Sequence, residues 1–270
     1  MTKNENRRDD LKRQYSDRPL TVDELRGLMH VAEAAVREVL ELAQGAVNTP
    51  AEFQGNDIHT SLDEKSHNQY LTALEQTGIP ILSEENPGNV DDSPLESSAL
   101  QWVIDPIDGT YNHWRRLPVY GTSIALFSDG NPWIGVIGNL VTGDVYTGGK
   151  GHAAMKNGQP INVSTTTDVN QAVLATGIPV GTSVVDWSAG MTQRGFDRFG
   201  KIRMLGSASA SLAYLAEGIV DHYWESGIFI WDIAAGLAIA SASGASVNLR
   251  PLSGVRFDIE VSTRSLELLG

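Results

Sequence analysis

Sheets covered by helices are the fold class this chain predicts, and three observations carry the prediction. Beyond Gly151, strand-like and helix-like stretches alternate, the pattern of a sheet with helices on its faces. Several short apolar runs stop abruptly at carboxylates or glycines, as buried strands do. Upstream, two helices announce themselves by capping signals followed by apolar residues at helical spacing.

Residues 1–20 are polar and charged and read as a flexible arm. Thr21-Val22-Asp23-Glu24 forms a capping box, and Leu25, Leu28, Met29, Ala32, Ala35, Val36, Val39, Leu40 and Ala43 then recur on one helical face until Gly45. Ala46 to Asp57 contains Pro50 and Gly55 and no clear period, so a loop or loose hairpin is expected. Ser61 and Glu64 fit the capping spacing for a second helix ending at Gly78. Ile79 to Leu82 is a short strand running into Ser83-Glu84-Glu85, and 86–98 has the Pro, Gly and Asp content of a surface loop.

Leu100, Trp102, Val103 and Ile104 form the next apolar run, which ends in Asp105-Pro106-Ile107-Asp108-Gly109-Thr110, two acids in a turn before a helix start. If both carboxylates enter one space ~4 Å apart, they repel by about 4 kcal/mol at an effective dielectric of ~20, and a cation or a proton must separate them. Oxygen ligands without nearby Cys or His favour Mg²⁺, Mn²⁺ or Ca²⁺ over zinc. The plainer reading is a well-made turn, since Asp-Pro and Asp-Gly are common turn dipeptides.

Tyr120 to Ser128 and Trp133 to Gly138 read as strands joined by a hairpin at Asp129-Gly130-Asn131-Pro132, and Thr142-Gly143-Asp144 leads into a third strand from Val145. Gly148-Gly149-Lys150-Gly151 is the candidate domain boundary, giving an α+β unit over 1–148 and an α/β unit over 149–270. The second unit carries strands near Ala172 to Thr176, Ile202 to Leu205 and Val220 to Trp224. Its helices are expected around Asp186 to Arg194, after Gly206-Ser207, and from Trp231 through Ala242.

Composition narrows the function classes. The chain has 270 residues and apolar content enough for a large core. Lys plus Arg number 20 against 33 Asp plus Glu, a formal charge of −13, which argues against a nucleic-acid backbone or an anionic membrane as main partner. The absence of Cys excludes disulfides, thiolate metal sites and Cys nucleophiles. With no apolar leader and no run of about 18 apolar residues, a soluble cytoplasmic protein is expected.

Asp63, Glu84, Asp105, Asp108 and Asp232 each have a structural alternative: a capping Asp for Asp63 and Asp232, a solvated loop acid for Glu84. Five acids at the ends of four elements, beside Gly-Thr and Gly-Ser helix starts, together point to a metal-assisted phosphate site.

Trp102 through Asn112 resembles the first signature of the inositol monophosphatase family, and Trp231-Asp232-Ile233-Ala234-Ala235-Gly236 resembles the second. The resemblance takes in Asp57 to Asp63, Glu84-Glu85, Gly143 to Tyr146, Asn157 to Ser164 and Gly206-Ser207-Ala208, covering about residues 21 to 262 in family order. It implies a sugar-phosphatase-like αβαβα layered sandwich of α+β and α/β parts, and a Mg²⁺-dependent, lithium-sensitive phosphomonoesterase, with Mn²⁺ as an alternative ion. By the family pattern, Glu84, Asp105 and the carbonyl of Ile107 hold one Mg²⁺, and Asp105, Asp108 and Asp232 hold a second. A third, looser ion leans on Glu84, and Asp63 and Thr110 with Glu84 position the attacking water. The amides of Gly109 and Thr110 bind phosphate oxygens, Gly206, Ser207 and Ala208 border the substrate, and Glu225 meets the ring hydroxyls of inositol.

The chain departs from the pattern at Gln54, where relatives commonly carry Lys, and at His59, where a small apolar residue is usual. Tyr111-Asn112-His113 replaces the Lys-Glu-Phe of relatives that cleave adenosine bisphosphates. A small polyol or sugar monophosphate is therefore the expected substrate, inositol 1-phosphate by default. The alternatives are fructose 1,6-bisphosphate, then histidinol phosphate or a 3′-phosphonucleotide, and in a different class a non-catalytic binding relative. Ile228-Phe229-Ile230 is more apolar than a site for many hydroxyls suggests, and Glu225 has an alternative partner in Arg203. Relatives are commonly homodimers, and the hairpin around Trp133 and the helix after Asp186 are the candidate interface.

Overall fold

The computed structural model describes residues 20–44, 51–54, 57–86, 95, 99–178 and 181–266. The expected N-terminal arm and most of the 86–98 loop lie outside these residues.

The first helix, α1 (Val22–Ala43), begins where the sequence says it should: Thr21 accepts from the Glu24 amide at 3.2 Å while Glu24 reaches back to the Thr21 amide at 2.8 Å. Its apolar stripe, with Ala32, Val36 and Val39 wholly buried, is what fixes it to the sheet below. The loose hairpin is present as β1 (Ala51–Gln54) paired antiparallel with β2 (Asp57–Thr60). The next helix, α2 (Ser61–Leu74), starts one residue earlier than the Ser61/Glu64 spacing implies. Thr60 is the N-cap and Asp63 occupies the third helical position, bonding the Thr60 amide at 2.8 Å, so the box that closes is Thr60/Asp63. A single 3₁₀ turn then ends at Gly78 in the left-handed conformation.

Seven strands form the first sheet, in the order β3-β4-β5-β6-β7-β8-β9. They are β3 (Ile81–Ser83), β4 (Gln101–Asp108), β5 (Gly121–Ser128), β6 (Asn131–Asn139), β7 (Val145–Gly149), β8 (His152–Lys156) and β9 (Gln159–Pro160). The β5–β6 turn is tighter than expected: Asp129 and Gly130 alone close it, both at positive φ (54° and 71°), and Asn131 and Pro132 already belong to β6. The sheet runs through the expected boundary near Gly148, because β7 carries Gly148 and Gly149 and pairs with β8.

The second sheet has the order β11-β10-β12-β14-β13, from β10 (Val173–Thr176), β11 (Lys201–Arg203), β12 (His222–Phe229), β13 (Ser246–Ser253) and β14 (Arg256–Ser262). The last two strands were not foreseen from sequence. The remaining helices are α3 (Thr110–Arg115), α4 (Val184–Gln193), α5 (Ala208–Ala216) and α6 (Ile230–Ser243).

Period-two alternation distributes these elements into five layers. Trp102, Ile104, Ile124 and Leu126 face α1 and α2, whereas Val103, Ala125 and Phe127 face the opposite way, onto α5 and α6. Tyr223, Ile228 and Ile259 of the second sheet cover α5 and α6 from the far side. Leu174 and Trp224 point outward to Met191 of α4 and to Phe196. The result is the α/β/α/β/α sandwich, with the Ala-rich α5 and α6 as its middle layer.

That middle layer is close-packed against the first sheet. A Cβ built on Gly135 of β6 would lie 2.2 Å from the Ala235 carbonyl oxygen and 2.7 Å from its Cα, both fixed backbone atoms of α6. Gly27 of α1 has nothing within 4 Å of such a Cβ. Gly135→Ala is therefore expected to destabilise by about 2–3 kcal/mol through overpacking, and Gly27→Ala to stabilise by about 0.5–1 kcal/mol through helix propensity. Urea titrations of the two variants check this; equal midpoints would show that α6 does not bear on β6 as described.

Candidate metal and phosphate site

The acids converge where β3, β4, α2 and α6 end. Along a regular strand Asp105 and Asp108, three apart, would point to opposite faces. Here the β4–β5 register slips between Asp105 (opposite Ser123) and Asp108 (opposite Gly121), so β4 carries one extra residue and both carboxylates reach the same side. Asp232 meets them from the first turn of α6. The nearest carboxylate oxygens of Asp105, Asp108 and Asp232 all lie within 4.8 Å of one another. Glu84, just past β3, places its side chain within hydrogen-bonding reach of Asp105.

Such crowding has electrostatic consequences. Burial first, then repulsion from Glu84, Asp108 and Asp232, pushes the Asp105 carboxyl well above the ordinary carboxylate range. Asp232 is pushed up in the same way by burial and by Glu84, Asp108 and Glu225, opposed by a hydrogen bond from the Phe229 amide. Burial also raises Asp108, against a set of donors at the start of α5. Its Oδ2 accepts from the Ser207 hydroxyl at 2.5 Å, the Ser209 amide at 2.7 Å and the Ser209 hydroxyl, and its Oδ1 from the Ala208 amide at 3.3 Å.

Do these residues suit a divalent cation? Asp105 Oδ1 is buried and has no hydrogen-bond partner among the described residues, an arrangement that costs free energy unless a cation or proton fills the gap. The donors are all hard oxygens, and the described residues within reach offer no Cys or His. The cluster of Asp105, Asp108 and Asp232, with Glu84 beside Asp105, can therefore hold a metal of the Mg²⁺ type.

Asp63 sits beside this cluster, fixed by the amide and hydroxyl of Thr60. Thr110, first residue of α3, has its hydroxyl 2.8 Å from Asp63 Oδ1 and 2.8 Å from the Ile107 carbonyl oxygen. Gly109 precedes it at φ 89°, a conformation only glycine adopts without strain, and a Cβ there would meet the Gly206 carbonyl oxygen at 3.0 Å. The first-sheet turn is thus pressed against the Gly206–Ser207 loop. Asn112 bridges the same gap, its Nδ2 lying 2.7 Å from the Val119 carbonyl oxygen and 2.8 Å from that of Leu205.

Next to the acids lies a cavity of about 240 Å³. Glu225 lines it, but its partner is Tyr223, whose hydroxyl donates to Oε2 at 2.6 Å, and not Arg203, which is exposed and bonds the Ile202 carbonyl. Burial pushes the Glu225 carboxyl up to about 7, with the Tyr223 hydroxyl opposing. Asp232 is not the N-cap of α6: Phe229 holds that position, and Asp232 sits at the third helical residue, where it reaches back to the Phe229 amide. The Gln54 side chain lies outside the described residues. His59 pairs its Nδ1 with Glu85 Oε1 at 3.2 Å, tying the β1–β2 hairpin to the end of β3.

Thr60, Ser209, Asn112 and Tyr223 were not singled out by the sequence reading. Thr60 could have been, since Thr-x-x-Asp is as good a capping box as Ser-x-x-Glu. Tyr223 could also have been, standing two residues before Glu225 on the same strand face. Ser209 and Asn112 act across about a hundred residues of sequence, and no local pattern marks them.

Comparison with known proteins agrees with this geometry. The family model for the inositol monophosphatase family matches residues 24–263. Among curated relatives, "Nus factor SuhB" of Pasteurella multocida is 34% identical over 203 residues, covering 71% of this chain and 75% of that protein. "Phosphatase IMPL1, chloroplastic" of Arabidopsis thaliana is 32% identical over 246 residues, covering 86% of this chain and 64% of that one. Among solved structures, an inositol monophosphatase from Anabaena superposes with a TM-score of 0.74 at 28% identity, over 90% of this chain and 92% of its own. On the match to the family model, the relatives above 30% identity and the shared fold, this chain belongs to the inositol monophosphatase family.

Proposed function

We propose that the protein is a Mg²⁺-dependent phosphomonoesterase that hydrolyses the phosphate ester of a small polyol or sugar-like alcohol. The observation that carries this reading is the buried carboxylate cluster with its unpartnered Asp105 oxygen, set beside the Asp63–Thr110 pair. Glu84, Asp105, Asp108, Asp232 and the Ile107 carbonyl are the proposed ligands. A divalent cation bound by them supplies positive charge to the phosphoryl oxygens and acidifies water.

The chain's own groups do the rest. The Thr110 hydroxyl, directed at Asp63, keeps a lone pair free to accept from an attacking water, so that water is aligned and its proton has a path toward Asp63 Oδ1. Asp63 stays in place because the Thr60 amide and hydroxyl occupy Oδ2. The amides of Gly109 and Thr110 are the proposed phosphate donors, at a turn that glycine alone allows. The start of α5 fixes Asp108, and the Gly206–Ala208 segment borders the alcohol half of the substrate together with Glu225. Several relatives bear the name Nus factor SuhB; the complete acid set supports hydrolysis for this chain all the same. Among the described residues no helix is long and apolar enough to cross a membrane. Self-association is proposed through α4, where Val184 and Val185 are 63% and 74% exposed; Trp133, by contrast, is half-buried beneath the Lys150 ammonium.

Three outcomes are expected. Phosphate release from a panel of sugar phosphates requires Mg²⁺, and Asp105→Asn abolishes it while leaving the melting temperature of the chelated protein unchanged or higher, because a repelled charge has been removed. Full turnover in that variant, or after exhaustive chelation, overturns the metal assignment. Asp63→Asn and Thr110→Ala each lower kcat by about 10²-fold or more with Mg²⁺ affinity retained; a loss of Mg²⁺ affinity equal to the loss in kcat shows instead that they serve the ion. Light scattering at micromolar concentration gives a mass near twice 29.1 kDa, and a mass near the single-chain value excludes the dimer.

A further inference from the structure

The cavity beside the acids, proposed to take the alcohol half of the substrate, has an uneven lining. Among the described residues that line it there are three carboxylates, Asp108, Glu225 and Asp232, and no Lys, Arg or His. The hydroxyls that line it are already committed. Thr176 donates to the Trp224 carbonyl at 2.7 Å, Ser211 to the Ser207 carbonyl at 2.7 Å, Ser207 to Asp108, and Tyr223 to Glu225. The side chains therefore present acceptors, above all Glu225 Oε1, and no spare donor or cation.

The rest of the side-chain lining includes an apolar patch of Ile178, Ile228 and Phe229. The β12–β14 register slips between Ser226 and Ile228 at Gly227 (φ 81°), which returns Ile228 to the face that carries Tyr223 and Glu225. Phe229 follows, its ring stacked on Trp231 at 4.6 Å and 13° and capped by the Arg256 guanidinium 4.0 Å from its centroid. Ile178 completes this patch. Arg256 is turned to the Gly227 carbonyl at 2.6 Å.

We infer that the cavity selects a phosphomonoester whose alcohol half carries one hydrogen-bond donor opposite Glu225, an apolar flank against Ile178, Ile228 and Phe229, and no second anionic group. This rests on the phosphatase reading and narrows it. A second phosphate meets the Glu225 carboxylate and no Lys, Arg or His among the described lining residues, and further hydroxyls meet apolar side chains that offer no partner. A donor opposite Glu225 pairs with the carboxylate oxygen that Tyr223 does not bond, a contact that discriminates between analogues with and without the donor.

The test is a ring series that changes one feature at a time: cyclohexyl phosphate, 2-hydroxycyclohexyl phosphate, 2-aminocyclohexyl phosphate, inositol 1-phosphate and fructose 1,6-bisphosphate, with p-nitrophenyl phosphate as a generic ester. The hydroxyl or the amine member is expected to exceed cyclohexyl phosphate and inositol 1-phosphate in kcat/KM by about tenfold or more, and the bisphosphate by about 10²-fold or more. Which of the two leads distinguishes a neutral from a cationic donor. Ile178→Arg, which places a cation on the apolar patch, narrows the gap to the bisphosphate by about tenfold. Inositol 1-phosphate or the bisphosphate at or above the one-donor esters overturns the inference, as does equal turnover of the esters with and without the donor. If no ester, p-nitrophenyl phosphate included, is hydrolysed, the phosphatase reading fails. Calorimetric binding of the same series to the Asp63→Asn protein with Mg²⁺ then decides the cavity alone: the same order supports the inference, and a different order or no binding overturns it.

Discussion

Mutual repulsion among buried carboxylates is the constraint on which the functional half of this fold depends. Glu84 follows β3, Asp105 and Asp108 both belong to β4, and Asp232 is in the first turn of α6, so left alone their charges would drive apart the strand and helix ends that carry them. The structure holds them together by fixing each one separately. Asp108 is tied to the start of α5 by two amides and two hydroxyls, Asp232 to the Phe229 amide, and Asp63 nearby to Thr60. Asp105 is the exception, with a buried oxygen that has no hydrogen-bond partner among the described residues. A helix start that stabilises an anion is ordinary physics; here the anion is a side chain from the other sheet, so the same contact also joins the two sheets.

That junction explains why glycine and asparagine recur at this end of the molecule. Gly109 lets the first-sheet turn approach Gly206 and Ser207, and Asn112 spans from Val119 to Leu205 beside it. Deeper in, α6 lies so close to β6 that Gly135 has no room for a side chain. The apolar middle layer of α5 and α6 spaces the two sheets, and polar contacts tie the first sheet to the 205–209 segment at its edge. Rigid placement of this kind is what a site working by electrostatic preorganisation requires.

Much of this was legible in the sequence, for identifiable reasons. The strand ending in Asp105 and Asp108 shows as an apolar run with an abrupt polar stop, and α1 as a capping box before a regular apolar stripe. The five-layer arrangement followed from the family signatures, and period-two alternation along β4, β5 and β12 gives the physical reason for it. The misplaced cap of α2 shows the limit of spacing arguments, since Thr60/Asp63 and Ser61/Glu64 fit equally well and only the backbone decides. β13 escaped because its residues are exposed or half-buried and it contains Pro251, which removes the apolar run and the alternation that mark a strand, whereas β14 does carry the alternation, in Phe257, Ile259 and Val261, and was legible but overlooked. Contacts such as Ser209 with Asp108 depend on the packing of two sheets, and no local pattern carries them.

Two bulges complete the argument, because each performs the same operation with a different outcome. Between Asp105 and Asp108 one extra residue brings a second carboxylate onto the face of the first, and the product is a site that can hold a cation. At Gly227 one extra residue brings Ile228 onto the face of Glu225, and the product is a cavity lined by an acceptor and an apolar patch side by side. A regular strand could have placed only one member of each pair toward the gap between the sheets. The proposed reacting end and the proposed selective end of the site are therefore set by two single-residue slips, on strands of different sheets. The alcohol half of a substrate would be judged by the second slip while its phosphate is held by the first, so that changes in the Gly227–Phe229 segment can alter preference without moving the acids.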